Sequence, residues 1–95
     1  MARKTIEKAY PGKSADALYV EVEKVIQGLG RKYGIACTYD PKKRHILVPE
    51  TMGVSGRCEV TEGKVVVDLE HGLMGTAVVG TVKSYIEEKL GKLFA

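Results

Sequence analysis

Cys37, His45, Cys58 and His71 are the side chains of the sequence whose sulfur and imidazole donors suit a transition metal. They follow the pattern C-x7-H-x12-C-x12-H, whereas common zinc sites contain short paired spacings. Alternation along the predicted strands also puts His45 on the opposite face from the other three. We therefore expect no metal, no other cofactor and no disulfide, with both cysteines as free thiols in a reducing cytoplasm.

No group of side chains matches a catalytic motif. His71 has an imidazole that could transfer a proton in a pocket, but a histidine held at the rim of a core is the commoner arrangement. The glycines at 72 and 75 precede a predicted helix without the lysine that a phosphate-binding loop needs. We expect a binding protein and not an enzyme.

The run Lys42-Lys43-Arg44, with Tyr39 nearby, could contact phosphates or stack on a base. The same run also suits a solvated hairpin tip. A net charge of only +3 and an acidic outer face on the following strands disfavour a polyanion. Weak nucleic-acid binding through this turn is thus an alternative function and not the favoured one.

The length and composition of the chain limit the number of domains and the class of protein. The 95 residues, 44% hydrophobic and 28% charged, predict a single globular domain over 1–95. The longest uncharged stretch, His71–Val82, is too short to span a bilayer, which takes roughly 20 residues. The first residues lack the apolar core of a signal peptide, so we expect a cytoplasmic protein.

Periodicity predicts the order β-α-β-β-β-β-α. The expected elements are a strand at 5–10, a helix after Ser14 that frays near Leu29 before a Gly34 cap, four strands within 35–71 and a helix over 73–94. The inner face of the strands is apolar and the outer face is charged. We predict an α+β fold with two layers, an antiparallel sheet and both helices packed on one face.

Two turns set the expected strand pairing. A two-residue Glu62-Gly63 turn pairs Val60 with Val65 and Arg57 with Asp68. A four-residue turn at 40–43 gives the pairs Tyr39 with Arg44, Cys37 with Ile46, and Ile35 with Val48.

An inward-facing glycine in mid-strand, Gly56, suggests close approach by another group or a small cavity. Tyr85 of the last helix is the expected neighbour, and His71 lies at the end of the adjoining strand. A cavity at Gly56, His71 and Tyr85 would make the protein a carrier of a small ligand, which is a second alternative.

The start of the last helix has more apolar residues than one sheet face can cover. We expect Met74 and Val78 to face the sheet and Val79 to lie outside it. With the exposed Val20, this excess predicts an apolar docking surface made of Val20, Leu73 and Val79. The surface would bind a partner or form a homodimer.

Four small motifs carry a family resemblance. They are Val54-x-Gly56, Val65-Val66-Val67-x-Leu69, Gly72-Leu73-Met74 and Ile86-x-x-x-Leu90. With the length and element order, they resemble the polyhydroxyalkanoic acid system (granule-region) family. The resemblance implies a small cytoplasmic bacterial accessory protein whose partners are polyester granules or granule-associated proteins. It implies no catalytic residues. An apolar surface of the kind predicted above would suit docking on such a granule.

Overall fold

The computed structural model describes residues 2–94, and the predicted α+β fold and element order are confirmed. The elements are β1 (Ala2–Ala9), α1 (Ala15–Tyr33), β2 (Thr38–Asp40), β3 (His45–Thr51), β4 (Val54–Thr61), β5 (Lys64–His71), a 3-10 turn (Leu73–Gly75) and α2 (Thr76–Gly91). The five strands form an antiparallel sheet in the order β1-β5-β4-β3-β2. This order leaves β1 at one edge of the sheet and the three-residue β2 at the other edge.

Helix α1 begins and ends where its sequence predicts. The Ser14 hydroxyl accepts a hydrogen bond from the Ala17 N–H at 3.2 Å, and Gly34 ends the helix in a left-handed conformation with φ +69°. The expected fraying near Leu29 is wrong, since the helix continues to Tyr33. Gly28 and Gly30 are positions of close approach: a Cβ on Gly28 would lie 2.8 Å from the Tyr85 hydroxyl.

The β4–β5 hairpin has the predicted register. Val60 pairs with Val65, and Arg57 with Asp68. Inner-face residues of the hairpin therefore pack against both helices in one apolar core. That core includes Leu18, Val22, Ile26, Leu29, Cys58, Val65, Val67, Leu69, Ile86 and Leu90.

The outer sheet face is charged and internally paired. Its polar contacts are Arg3 with Glu70 at 3.2 Å, Thr5 with Asp68 at 2.7 Å, Lys64 with Glu7 at 3.0 Å and Arg57 with Glu59 at 3.0 Å. Most of these contacts join neighbouring strands, so opposite charges stabilise the sheet face that the helices leave uncovered.

The predicted pairing of β2 with β3 is wrong by two residues. Tyr39 pairs with Ile46, where we expected Arg44. The turn is Pro41–Arg44, because Arg44 adopts φ +55° and its guanidinium binds the Asp16 carboxylate at 2.9 Å. A shift of two residues keeps each side chain on its face, so Ile35 and Cys37 still pack against the core as expected.

The predicted orientation of the residues at the start of the last helix is also wrong. Val79 is 2% exposed and belongs to the core, whereas Met74 is 87% exposed. Ile86 follows Val79 by seven residues, or nearly two turns, which leaves these two side chains only about 20° apart around the helix. Val78, eight residues before Ile86, is rotated by about 80° and is half-buried. Val79 is therefore not part of any docking surface.

A backbone contact fixes where α2 begins. A Cβ on Gly75 would collide with the Gly53 carbonyl and lie 2.7 Å from its carbon. The Gly72 N–H also donates to the Gly53 oxygen at 3.3 Å. The β3–β4 turn thus lies directly on the 3-10 turn before α2.

We expect Gly75→Ala to lower the free energy of unfolding by roughly 1–3 kcal/mol, because the added methyl forces these two turns apart. Gly80→Ala is the matched control: nothing lies within 4 Å of its Cβ position, so removing a helical glycine should stabilise the protein by about 0.5–1 kcal/mol. Urea denaturation of both variants measures the difference. Equal stability of Gly75→Ala and the wild type would contradict the contact.

Candidate functional site

Three large apolar side chains project from one end of the molecule. Met52 is 62% exposed, Leu73 is 96% exposed and Met74 is 87% exposed. They belong to the two turns that meet at Gly53 and Gly75, and we call them the apolar tip. Of the predicted docking residues, only Leu73 lies here.

Met52 is held outward by an unusual backbone. It has φ +54° and is followed by Gly53 at φ +82°, the pair of positive angles that a tight hairpin turn of the primed type needs. Asn, Asp or Gly is preferred at the first of these positions, so a methionine there is strained. Strain of this kind is often retained where a side chain has a role, which directs attention to Met52.

Val20, also predicted as a docking residue, is 52% exposed but lies elsewhere. It is near the start of α1, and the Ala15 N–H at that start donates to Glu62 in the β4–β5 turn. That turn is at the opposite end of the hairpin from the tip. Val20 is thus an isolated exposed apolar residue.

An apolar pocket of about 20 Å³ lies behind the tip, between the helices and the sheet. It is lined by Tyr33, Ile35, Val48, Thr51, Met52, Val54, Leu69, Val78 and Val82. A volume of this size has room for one water-sized group, and an apolar lining favours a methyl or ethyl group over water. Met52 belongs to both the tip and the pocket.

The residues predicted to line a cavity do not line this one. The inner side of Gly56 is filled by Leu69, whose Cδ2 would be 3.0 Å from a Cβ. Tyr85 packs its ring on Tyr33, and His71 is buried with its Nδ1 3.2 Å from the Gly72 oxygen. The expected close approach at Gly56 is real, but its partner is Leu69.

Two lysines lie over the rings of Tyr33, which lines the pocket, and of its neighbour Tyr85. The Lys32 Nζ lies 5.6 Å from the ring centre of Tyr33 and 5.2 Å from that of Tyr85. The Lys89 Nζ lies 5.6 Å from the Tyr85 ring. Distances in this range allow cation–π attraction. Sequence reasoning missed this cluster because its members come from two separate helices.

The basic turn keeps fewer cations than its sequence suggests. The Arg44 guanidinium is paired with the Asp16 carboxylate. The backbone N–H of Lys43 donates to the Asp40 carboxylate at 3.2 Å, which stabilises the turn and leaves the Lys43 ammonium unpaired by this bond. The side chains of Lys42 and Lys43 are exposed. Phosphate binding at this turn stays a prediction.

A family model described as "Putative polyhydroxyalkanoic acid system protein" matches residues 12–94. The chain belongs to this family. The resemblance drawn from the sequence motifs is thereby confirmed, and the matched residues include the tip, the pocket and the lysine–tyrosine cluster. The comparison with curated proteins gave no match. Within residues 2–94, no helix is long and apolar enough to cross a membrane.

The two thiols of this family member are free in the structure. Cys58 is fully buried, and this burial raises the pKa of its thiol to about 12. Burial also raises the pKa of the half-buried Cys37. Over the described chain, no three His, Cys, Asp or Glu side chains are grouped as metal ligands.

Stability should fall in alkaline solution because of Cys58. In the unfolded chain this thiol ionises near pH 9, but in the fold it keeps its proton until about pH 12. Its contribution is complete below pH 9 and is lost as the pH rises between these values, by about 1.4 kcal/mol per unit. Between pH 9 and 10, Cys58→Ala should therefore lose stability less steeply than the wild type, as measured by urea denaturation. Identical slopes would show that Cys58 ionises without unfolding.

Proposed function

We propose that this protein is a cytoplasmic accessory protein that binds the polyester surface of polyhydroxyalkanoate granules through the apolar tip. The observation that carries the proposal is the exposure of Met52, Leu73 and Met74 together at one end of the molecule. Membership of the polyhydroxyalkanoic acid system family supplies the polymer context. The proposal involves no catalytic step.

The exposed side chains can supply a useful binding energy. Fully burying a Leu or Met side chain contributes roughly 1.5–3 kcal/mol. Three such side chains offset a good part of the entropy lost when a protein is held on a surface. Binding driven by apolar area persists in salt, whereas binding to phosphates weakens steeply.

The sequence around the tip favours insertion into an apolar phase. From Gly72 to Val82 the chain has no charged side chain, and the first one in α2 is Lys83. Docking at this end therefore removes no charge of this segment from water, which would otherwise be costly. Lys83 is also paired with Glu87 at 2.8 Å, further along the helix.

Replacing Leu73 and Met74 together by lysine tests the tip. Both side chains are almost fully exposed, so the double variant should keep its stability within about 0.5 kcal/mol. It should sediment with purified polyester granules much less than the wild type does, at low salt and at high salt. Val20→Lys, which adds one lysine at an exposed residue away from the tip, should sediment as the wild type does, and the single variant Leu73→Lys, with the same added charge, should sediment less.

Gel filtration of the same proteins separates granule docking from self-association. A wild-type homodimer that the double lysine variant dissociates, with granule sedimentation unchanged, would assign the tip to a second copy of the chain. Normal sedimentation of a folded, monomeric double variant would show that the tip is not the docking site.

A further inference from the structure

The pocket behind the tip has the shape of a site for a very short apolar group. Its volume of about 20 Å³ excludes a long alkyl chain. Ile35 and Val78, both half-buried, line it together with the Tyr33 ring and the exposed Met52. A ligand that inserts one small group here must leave its remaining atoms at the surface.

A positive charge lies on the same wall. The Tyr33 ring that lines the pocket also has the Lys32 ammonium 5.6 Å from its centre, and Lys89 lies beyond the neighbouring Tyr85 ring. Among the described residues, neither ammonium forms an ion pair with a carboxylate within 4.0 Å. The Glu88 carboxylate binds Lys92 at 3.1 Å, and this hydrogen bond, with the charges of Lys92, Lys89 and Lys32, lowers the Glu88 pKa. Since neither Lys32 nor Lys89 is held in a direct ion pair, both ammonium groups can bind an anionic ligand.

We propose that the pocket, Lys32 and Lys89 bind a short-chain hydroxy acid, with its carboxylate at the two ammonium groups and its methyl or ethyl group in the pocket. The chemistry combines one anionic end with one small apolar end, as the site does. This inference rests on the proposed function, since a polyester of hydroxyalkanoic acids has such a group at its carboxyl end. Hydrolysis of the polymer releases free acids of the same kind.

The free acid is the first arm of the test. Calorimetric titration with 3-hydroxybutyrate should show binding to the wild type, and the uncharged 3-hydroxybutyramide should not bind. Replacing both Lys32 and Lys89 by glutamine should weaken binding by about tenfold or more. Val78→Leu, which fills the pocket, should also weaken it.

Arg31→Gln is the matched control for charge. Arg31 is an exposed cation in the same last turn of α1 as Lys32. It lines a different surface hollow, with Cys37 and Tyr39, from the pocket that the Tyr33 ring lines. Its loss should leave acid binding unchanged. An equal loss in Arg31→Gln and the double glutamine variant would reduce the effect to net charge and overturn the site.

Granules supply the second arm. Reduced sedimentation of the double glutamine variant, with Arg31→Gln normal and no binding of the free acid, would assign the site to polymer chain ends. Binding in neither arm overturns the inference. Sedimentation of the wild type keeps the two proposals apart. Acid binding by a wild type that does not sediment with granules would leave this site standing and contradict the proposed function. Acid binding by the Leu73 and Met74 double lysine variant, with its sedimentation lost, would support both.

Discussion

The arrangement of the apolar tip depends on one contact between two backbones, Gly53 against Gly75. Each residue occupies the space where the Cβ of the other would lie, so neither position accepts a side chain without separating the turns. Their contact places the β3–β4 turn directly on the 3-10 turn that precedes α2. It thereby brings Met52 to the same end of the molecule as Leu73 and Met74. The apolar tip is therefore a consequence of a single close approach.

Local signals were sufficient for part of the fold. The Glu62-Gly63 turn fixes the β4–β5 register through adjacent residues alone, and Ser14 and Gly34 end α1 by their own backbone preferences. The β2–β3 turn could not be derived this way, because Arg44 takes its conformation beside Asp16, a residue 28 positions earlier. The start of α2 has the same origin, because the 3-10 turn before it lies against Gly53 of a different turn. The burial of Val79, by contrast, follows from its seven-residue spacing to Ile86, which the sequence contains.

The candidate site was less predictable than the fold for the same physical reason. Leu73 could be identified as exposed, since the uncharged start of the last helix has more apolar residues than a sheet can cover. Met52 gave no such signal, because its exposure follows from the left-handed conformation of a turn. Lys32 and Lys89 are ordinary helix-end cations in the sequence, and only the packing of α1 against α2 brings both to the Tyr85 ring.

The side chains and lengths of the two edge strands affect whether copies of this protein aggregate by pairing their sheets. Any surface that gathers the protein brings unpaired strand edges close together, and such edges can join by main-chain hydrogen bonds into aggregates. Here β1 has charged side chains along its length, Arg3, Lys4, Glu7 and Lys8 among them, and β2 offers only three residues. Neighbouring molecules can therefore crowd into a dense layer without polymerising through their sheets.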